Sequence, residues 1–276
     1  MSDNAARAMP AQRAEPSLSL VIPAYNEAAR IARTAAEAAT WLGAQAYAAE
    51  LIVVDDGSED GTADLAEEAL AGFSDARVLR VAHGGKAAAV RAGVLSATNS
   101  QIAFCDADLA TPIGYLRDLR AALANGCDLA IGSREGAGAR RIAEPIYRHV
   151  MGRIFNGLVR WLLLPGVDDS QCGFKLFRRE AAIVLFAESR LYRAGKEAVT
   201  GPRVTAFDVE LLTIAKLRGY RICSVPVVWT YGTGSKVRPA RDTWHNVRDV
   251  LNVWMGVKRG RYRDVGSGEP FAGQRQ

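Results

Sequence analysis

The chain has 276 residues, 49% of them hydrophobic and 24% charged, enough to bury a sizeable core and too apolar for a disordered polymer. Its net charge of +5 is modest, owes part of its excess to the C-terminal "KRGRYR", and comes with no zinc-finger, helix-turn-helix or RNA-recognition signature, so lipid or phosphate anions explain it at least as well as nucleic acid. Cys105, Cys127, Cys172 and Cys223 stand singly without CxxC spacing, which argues against a zinc site and a dense disulfide framework and for a reducing cytoplasm.

Residues 1–16 are small and polar, lack the apolar centre of a secretory signal, and are expected to form a flexible tail, as are residues 264–276. Residues 17–263 read as a single domain. Through the first half, short β-branched runs alternate with longer helical patterns, which predicts βα units around a largely parallel sheet. The predicted strands are "LSLVI", "ELIVV", "RVLRV", "QIAFC" and "DLAIG". The alanine-rich "EAARIARTAAEAATWL", "GTADLAEEALAG", "GKAAAVRAGVLSA" and "PIGYLRDLRAALANG" read as the helices between them, Thr111 and Pro112 suiting the N-cap and first position of the last. There follow a long helical pattern, "AEPIYRHVMGRIFNGLVRWLLLPG", then "DDSQCGFKLF", a helix from Arg179, a polar insertion, the helix "FDVELLTIAKLRGY", the strand "RICSVPVVW" and a last helix. No stretch approaches the ~18 uninterrupted apolar residues of a bilayer span, so the chain is expected to be soluble or to lie on a membrane without crossing it.

The polar segments "PAYNE", "DDGSEDGT", "HGGK", "DADLAT" and "SREGAGARR" all follow carboxyl ends of predicted strands, the edge at which open α/β sheets bind ligands. In "DDGSEDGT", Asp55 and Asp56 end a strand, Gly57 permits a sharp turn, and Ser58 or Asp60 can cap the next helix. The same carboxylates suit a nucleobase N–H or ribose hydroxyls. Asp106 and Asp108, two residues apart, repel each other unless a cation or the donors of a ligand lie between them. Magnesium, held by one or two carboxylates plus substrate phosphates, fits that need.

In this order and spacing, "LSLVIPAYNEAARI", "ELIVVDDGSEDGT", "GGKAAAVRAG", "IAFCDADLAT" and "AIGSRE" resemble the nucleotide-sugar domain of the GT-A-fold family 2 glycosyltransferases. "DDSQCGFKLFRREAA", "FDVELLTIAKLRGY" and "VPVVWTYGTGSKV" resemble one branch of that family, the dolichyl- and polyprenyl-phosphate glucosyl- and mannosyltransferases, the glucosyl members most. The resemblance runs from about Pro16 to about Tyr262. It implies a Rossmann-like α/β fold with a mostly parallel central sheet, flanking helices and C-terminal amphipathic helices. It also implies transfer of glucose from UDP-glucose to a polyprenyl phosphate, with inversion, at the cytoplasmic face of a membrane.

Carried onto this chain, the resemblance implies that Pro23, Tyr25 and Glu27 cradle base and ribose, that Asp55 bonds the base beside Asp56, and that Lys86 and Arg91 contact the nucleotide-sugar. Asp106 and Asp108 match the D-x-D pair that meets the diphosphate through Mg2+ or Mn2+, Asp108 the more direct ligand, and Arg134 matches an arginine near the reacting phosphates. Asp169 and Gln171 match positions that arrange loops. For the acceptor phosphate, "YGTGSKVRPAR" offers Ser235, Lys236, Arg238 and Arg241, with Gly232 and Gly234 permitting close approach; Lys175 is a second candidate, or a strand lysine facing solvent. The chain departs from the family at "HGGKA", where members often carry N-x-G-K-G, and at Ala110, where some mannosyl members have a glutamine ligand. The stretch 187–206 is longer than its counterpart in glucosyl members.

Two amphipathic stripes bear on a lipid acceptor. Ile146, Val150, Ile154, Leu158 and Leu162 recur every four residues with Arg148, Arg153 and Arg160 off the stripe, and Trp244, Val247, Leu251, Trp254 and Val257 form a second that runs into the basic cluster. Tryptophan with lysine and arginine suits a membrane interface; the same stripes suit the protein's own core. Mannosyl transfer from GDP-mannose, another acceptor hydroxyl, and a non-catalytic nucleotide-sugar-binding subunit stay open as alternatives.

Overall fold

The computed structural model describes residues 15–191, 206–232 and 239–262, with side chains in the last segment from Trp244 onward. Nearly all of the predicted tails and most of the 187–206 insertion lie outside the described residues. The first half alternates as expected: β1 (Leu18–Ala24), α1 (Ile31–Gly43), β2 (Ala49–Asp55), α2 (Thr62–Leu70), β3 (Ala76–Arg80), α3 (Lys86–Ser96), β4 (Gln101–Phe104), α4 (Leu116–Ala124) and β5 (Leu129–Ser133). The second half contributes β6 (Arg140–Ile142), α5 (Ile146–Leu162), β7 (Lys175–Arg178), α6 (Arg179–Glu188), α7 (Phe207–Leu217), β8 (Ile222–Pro226), β9 (Val228–Thr230) and α8 (Pro239–Lys258).

Seven strands form one sheet in the order β3-β2-β1-β4-β7-β5-β8. All its pairings are parallel except those of β7, which runs antiparallel to both β4 and β5. Both faces of β1, β2, β4 and β5 are covered, so these strands read as apolar runs rather than alternating ones, whereas the edge strands β3 and β8 stay partly exposed. Leu18, Leu20 and Ile22 pack under α1, α2 and α4, while Val21, Ile52 and Val54 face the layer of α3, α5, α6, α7 and α8. Helix α1 shows why such a segment docks: its buried residues Ile31, Thr34, Ala35, Ala38, Ala39 and Leu42 keep the spacing of one helical face. Helix α7 is buried from Phe207 to Ala215, on every side, because it lies between the sheet and α8. Its Glu210 accepts the Arg190 and Leu191 amides and the Tyr262 hydroxyl, which fixes the base of the insertion and the end of the C-terminal helix together.

Three local expectations are corrected. "RICSVPVVW" is not one strand: the chain leaves the main sheet after Pro226, and β9 pairs with β6 in a separate two-stranded ribbon. Thr111 and Pro112 do not open α4, because a 3-10 turn over Ile113–Tyr115 intervenes, with Pro112 before it and no side-chain cap. Cys127 and Cys223 form a disulfide, which isolated cysteines in a reducing compartment do not predict. Their closeness follows from the pairing of β5 with β8, which brings together residues 96 apart in sequence. Denaturing the protein without reductant and alkylating it should label two thiols, Cys105 and Cys172; labelling of four would show that the bond does not form.

Candidate active site

The carboxyl ends of β1, β2, β3, β4 and β5 lie along one edge, and β1 is flanked by β2 on one side and β4 on the other. Such a change of direction in strand order opens a crevice at that edge. Because β7 is antiparallel, the loop that enters it arrives at the same edge: Lys175 pairs with Phe104 of β4 and with Ile131 of β5. The "DDSQCG" segment therefore lies between "DAD" and "SRE", although some 60 and some 35 residues, respectively, separate them from it in sequence.

At the β1 and β2 ends, the loops knit to each other. Asn26 and Glu27 donate their amides to Ser58 Oγ and Thr62 Oγ1 at 2.9 and 2.8 Å, and Asp60 accepts the amides of Ala28 and Thr62, both at 3.1 Å. Gly61, not Ser58 or Asp60, occupies the N-cap of α2. Gly57, at φ +71°, lets this loop touch the next: a Cβ there would lie 2.9 Å from the His83 amide nitrogen.

The neighbouring acids have different tasks. Asp56 is buried; its carboxylate accepts the Gly84 and Gly85 amides at 2.8 Å each and contacts His83 Nδ1 at 2.9 Å. It thereby fills the anion-binding start of α3 and shapes the loop, which leaves it unsuited to the nucleotide contact expected of it. Asp55 accepts the Ser58 amide through Oδ2, whereas its buried Oδ1 has no hydrogen-bond partner. A buried oxygen in that state is costly unless a ligand N–H or O–H completes it. Pro23 lies in β1 beside Val54, and Tyr25 stacks on the His83 ring with centroids 4.0 Å apart. Glu27 holds Arg30 at 2.9 Å.

Beyond β4, Leu109 takes a left-handed φ of +46°, uncommon for a branched side chain, and so turns the chain sharply after Asp108. The Ala110 amide donates to Asp108 Oδ1 at 3.0 Å, and the Ala110 carbonyl accepts the Thr230 amide at 2.8 Å. This latch brings Gly232 to Asp108: a Cβ on Gly232 would lie 3.7 Å from Oδ2. The opening of the predicted acceptor loop thus adjoins the D-x-D pair; Ser235, Lys236 and Arg238 lie outside the described residues, as does the side chain of Arg241. Asp106 is backed by Gly173, where a Cβ would lie 2.1 Å from its Oδ2, and it forms an ion pair with Lys86. Desolvation in the crevice and the charge of Asp106 push the Asp108 carboxyl above its ordinary range, although its outer side is exposed. Arg91, five residues beyond Lys86 on α3, is turned about 140° away from it around the helix axis.

After β5, Arg134 grips Asp169 in a fork, Nε to Oδ2 at 2.7 Å and Nη2 to Oδ1 at 2.8 Å, and its backbone amide adds a third bond at 2.9 Å. Its guanidinium also lies 5.3 Å from the centre of the Trp229 ring. Burial acts to raise the Asp169 carboxyl, but Arg134 outweighs it and holds Asp169 well below the usual carboxylate range. Gln171 continues this loop, its amide 3.3 Å from Asp169 Oδ1.

A model of the family "Glycosyl transferase family 2" matches residues 19–186, the part that carries every strand end just described. The chain belongs to that family. This family 2 glycosyltransferase is 34% identical over 261 residues to the dolichyl-phosphate beta-glucosyltransferase of Homo sapiens, covering 89% of this chain and 77% of the human one. Its identity to the Saccharomyces cerevisiae enzyme of the same name is 31%, with coverages of 90% and 77%. Among solved structures, glucosyl-3-phosphoglycerate synthase from Mycobacterium tuberculosis, with Mn2+, UDP-glucose and phosphoglyceric acid, superimposes with a TM-score of 0.56 at 19% identity, covering 94% of this chain and 82% of that one. At that identity the likeness is one of fold, the GT-A architecture.

The glycosyltransferase departs from expectation most clearly at Lys175. Its side chain is fully buried, with Nζ on Asp208 Oδ1 at 2.6 Å and on the Cys172 carbonyl at 2.5 Å, 5.4 Å from the centre of the Phe104 ring. It therefore neither faces solvent nor reaches an acceptor phosphate, because Asp208, brought in by α7, compensates its charge inside the protein. Lys175→Met, which leaves Asp208 uncompensated, should cost about 3–5 kcal/mol of stability. An unchanged melting temperature together with a raised KM for the acceptor would return Lys175 to the ligand role.

Gly173, Asp208 and Trp229 are site residues that the sequence pattern does not single out. Only Gly173 leaves a local trace, as the glycine of "CGFK". Gly173→Ala must displace Asp106, and a shift of about 1 Å at a reacting centre costs on the order of 10²-fold in rate. Wild-type kcat/KM in a folded Gly173→Ala variant would show that the position of Asp106 is immaterial.

Proposed function

We propose that the protein transfers glucose from UDP-glucose to a polyprenyl phosphate, with inversion at the anomeric carbon, at the surface of a membrane. The observation that carries this reading is the 34% identity to human dolichyl-phosphate beta-glucosyltransferase along 89% of the chain. The crevice supports it chemically. Asp55 Oδ1 is an acceptor waiting for a nucleobase N–H, and the Tyr25–His83 stack offers an aromatic wall beside it.

Asp106 and Asp108 are oxygen donors that keep exposed surface, and Gly173 makes the cradle for the first of them. Among the described residues no group of three or more His, Cys, Asp or Glu side chains is poised for a metal ion. Two carboxylates completed by diphosphate oxygens are the arrangement that suits Mg2+ or Mn2+. Held there, such an ion would neutralise charge that builds on the departing diphosphate.

In the reaction, an acceptor phosphate oxygen attacks the anomeric carbon from the face opposite the diphosphate. The bond from that carbon to the β-phosphate oxygen breaks, and its electron pair leaves with UDP. No proton needs to be removed, because a phosphate monoester, with a second pKa of about 6, is largely a dianion at neutral pH. The site accordingly needs cations rather than a general base. Arg134, pre-oriented by Asp169, offers Nη1 to a phosphate oxygen, and Lys86 supplies an ammonium at the start of α3. Ser235 and Lys236, on the loop that begins beside Asp108, are the proposed holders of the acceptor phosphate.

A lipid acceptor requires a surface that meets the bilayer, and among the described residues no helix is long and apolar enough to cross one. Helix α5 carries Ile146, Ile154 and Trp161 at 81%, 70% and 81% exposure, has Arg148, Arg153 and Arg160 beside them, and contains no acidic residue. Its opposite face, Phe155 and Val159, joins the core, so the stripe Ile146, Val150 and Ile154 is the outward one. In α8 the residues divide: Trp244, Leu251 and Met255 are exposed, whereas Val247, Trp254 and Val257 pack on the core. Apolar and aromatic side chains beside arginines suit an interfacial helix on anionic lipid.

Two measurements test the reading. Titration with UDP and GDP should give at least about tenfold tighter binding of UDP, and tighter binding of GDP would move the donor to a guanine nucleotide. Flotation with anionic vesicles should carry the wild type and leave Ile154→Glu/Trp161→Glu behind; equal flotation of both would remove α5 from the membrane contact.

A further inference from the structure

Lys86 is placed against the usual rules of helix design. It is the first residue of α3, behind the N-cap Gly85, where the helix dipole is positive and a lysine is unfavourable. Its ammonium is committed to Asp106, the first carboxylate of the D-x-D pair. Both partners keep about a third of their side-chain surface exposed, 34% and 38%, so the pair lies open to ligands from the crevice. Asp106 has no retreat behind it, since Gly173 closes that side. A local conflict of this kind at a ligand edge points to a role in binding rather than in folding.

We propose that Lys86 serves as the resident counter-cation of Asp106 and makes metal binding conditional on the nucleoside diphosphate. The inference rests on the reading of this crevice as a site for a metal and a diphosphate. The charges argue for it. Asp106 is ion-paired with Lys86, the charges of Asp108 and Asp208 also act on it, and Lys175 holds Asp208 in its own buried ion pair. Three carboxylates and two ammonium groups leave one net negative charge, too little to hold a divalent cation tightly in water. A divalent cation entering alone must compete with Lys86 for Asp106 and would strand the lysine beside a second positive charge. A diphosphate entering with the cation supplies oxygens to both. Lys86 then exchanges Asp106 for a phosphate oxygen, and the charge of the diphosphate offsets that of the cation. Lys86 is thus a positioning residue for the metal carboxylates in the free enzyme and a diphosphate contact in the loaded one.

The test is a titration of the full chain with Mn2+, free Mn2+ being read by electron paramagnetic resonance, alone and with saturating UDP or GDP, corrected for Mn2+ bound by nucleotide without protein. For the wild type, the Mn2+ dissociation constant should fall at least about tenfold when the nucleotide is present, ~1.4 kcal/mol of coupling. Lys86→Met should bind Mn2+ alone at least about tenfold more tightly than the wild type and lose most of the coupling, and Lys86→Arg should restore it. Equal or weaker Mn2+ binding by Lys86→Met would overturn the proposal. So would a wild type that binds Mn2+ equally well with and without both nucleotides, a result that does not depend on any variant folding. Coupling to GDP but not UDP would leave the role of Lys86 standing and overturn the assignment of the donor.

Discussion

Asp108→Asn is expected to lower kcat/KM by about 10²–10³-fold and to leave the protein as stable as the wild type, or slightly more so. The two halves of this expectation have one cause. The carboxamide oxygen of the variant can still accept the Ala110 amide, so the turn held by Leu109 survives. What disappears is a negative charge in a place that disfavours it: desolvation and Asp106 raise the Asp108 carboxyl above its ordinary range. A carboxyl raised in the folded state contributes stability below its unfolded pKa and loses that contribution as pH climbs through the folded value. At neutral pH the ionised Asp108 is therefore a small burden on the fold, and the amide relieves it. Since the side chain is exposed on its outer side, the change in stability should stay within about 0.5 kcal/mol. Steady-state kinetics and a melting curve on one preparation decide the matter. Near-normal turnover, or a melting temperature lower by many degrees, would remove Asp108 from the role assigned to it.

Asp169→Asn should fail on both counts. The wild-type carboxylate receives three bonds from Arg134, and the amide can receive only part of that fork, so a guanidinium is left under-compensated in a largely buried place. Breaking a buried pair from one side costs about 3–5 kcal/mol, roughly 10 °C or more for a chain of this size. Activity should fall as well, because Arg134 loses the partner that orients it toward the phosphates. The pH dependence carries the opposite sign to that of Asp108. Asp169 is held below the usual carboxylate range, so its stabilising contribution is complete above the unfolded pKa of about 4 and is lost only as pH falls toward the lower folded value. The stability gap between wild type and variant should be equal at neutral and mildly acidic pH and should narrow only in stronger acid. A gap that changes around neutrality would mean that another group is responsible.

The sequence disclosed those parts of the protein that local pattern determines. β1, β2, β4 and β5 are buried on both faces and so appear as apolar runs, β3 is a half-exposed edge strand, and the polar segments behind all five fall at one edge by pattern alone. Where partners come from far along the chain, the pattern was silent. Nothing in "KLFR" announces an antiparallel strand slotted between β4 and β5, yet that strand puts Asp169 on Arg134 and Gly173 behind Asp106. Lys175 illustrates the same limit, because the charge that lets it be buried belongs to Asp208, 33 residues later. Asp55 and Asp56 were indistinguishable as adjacent letters. Which one is used by the Gly84 and Gly85 amides, and which keeps a carboxylate oxygen unpartnered, depends on where the β3–α3 loop crosses the end of β2.

Transfer of label into lipid tests the central claim most directly. The full chain, given radiolabelled UDP-glucose, polyprenyl phosphate and Mg2+ or Mn2+, should place label in the organic phase, with GDP-mannose in a parallel reaction giving far less and chelation of the metal giving none. Absence of lipid-linked label from every nucleotide sugar offered, or label from GDP-mannose alone, would contradict the account.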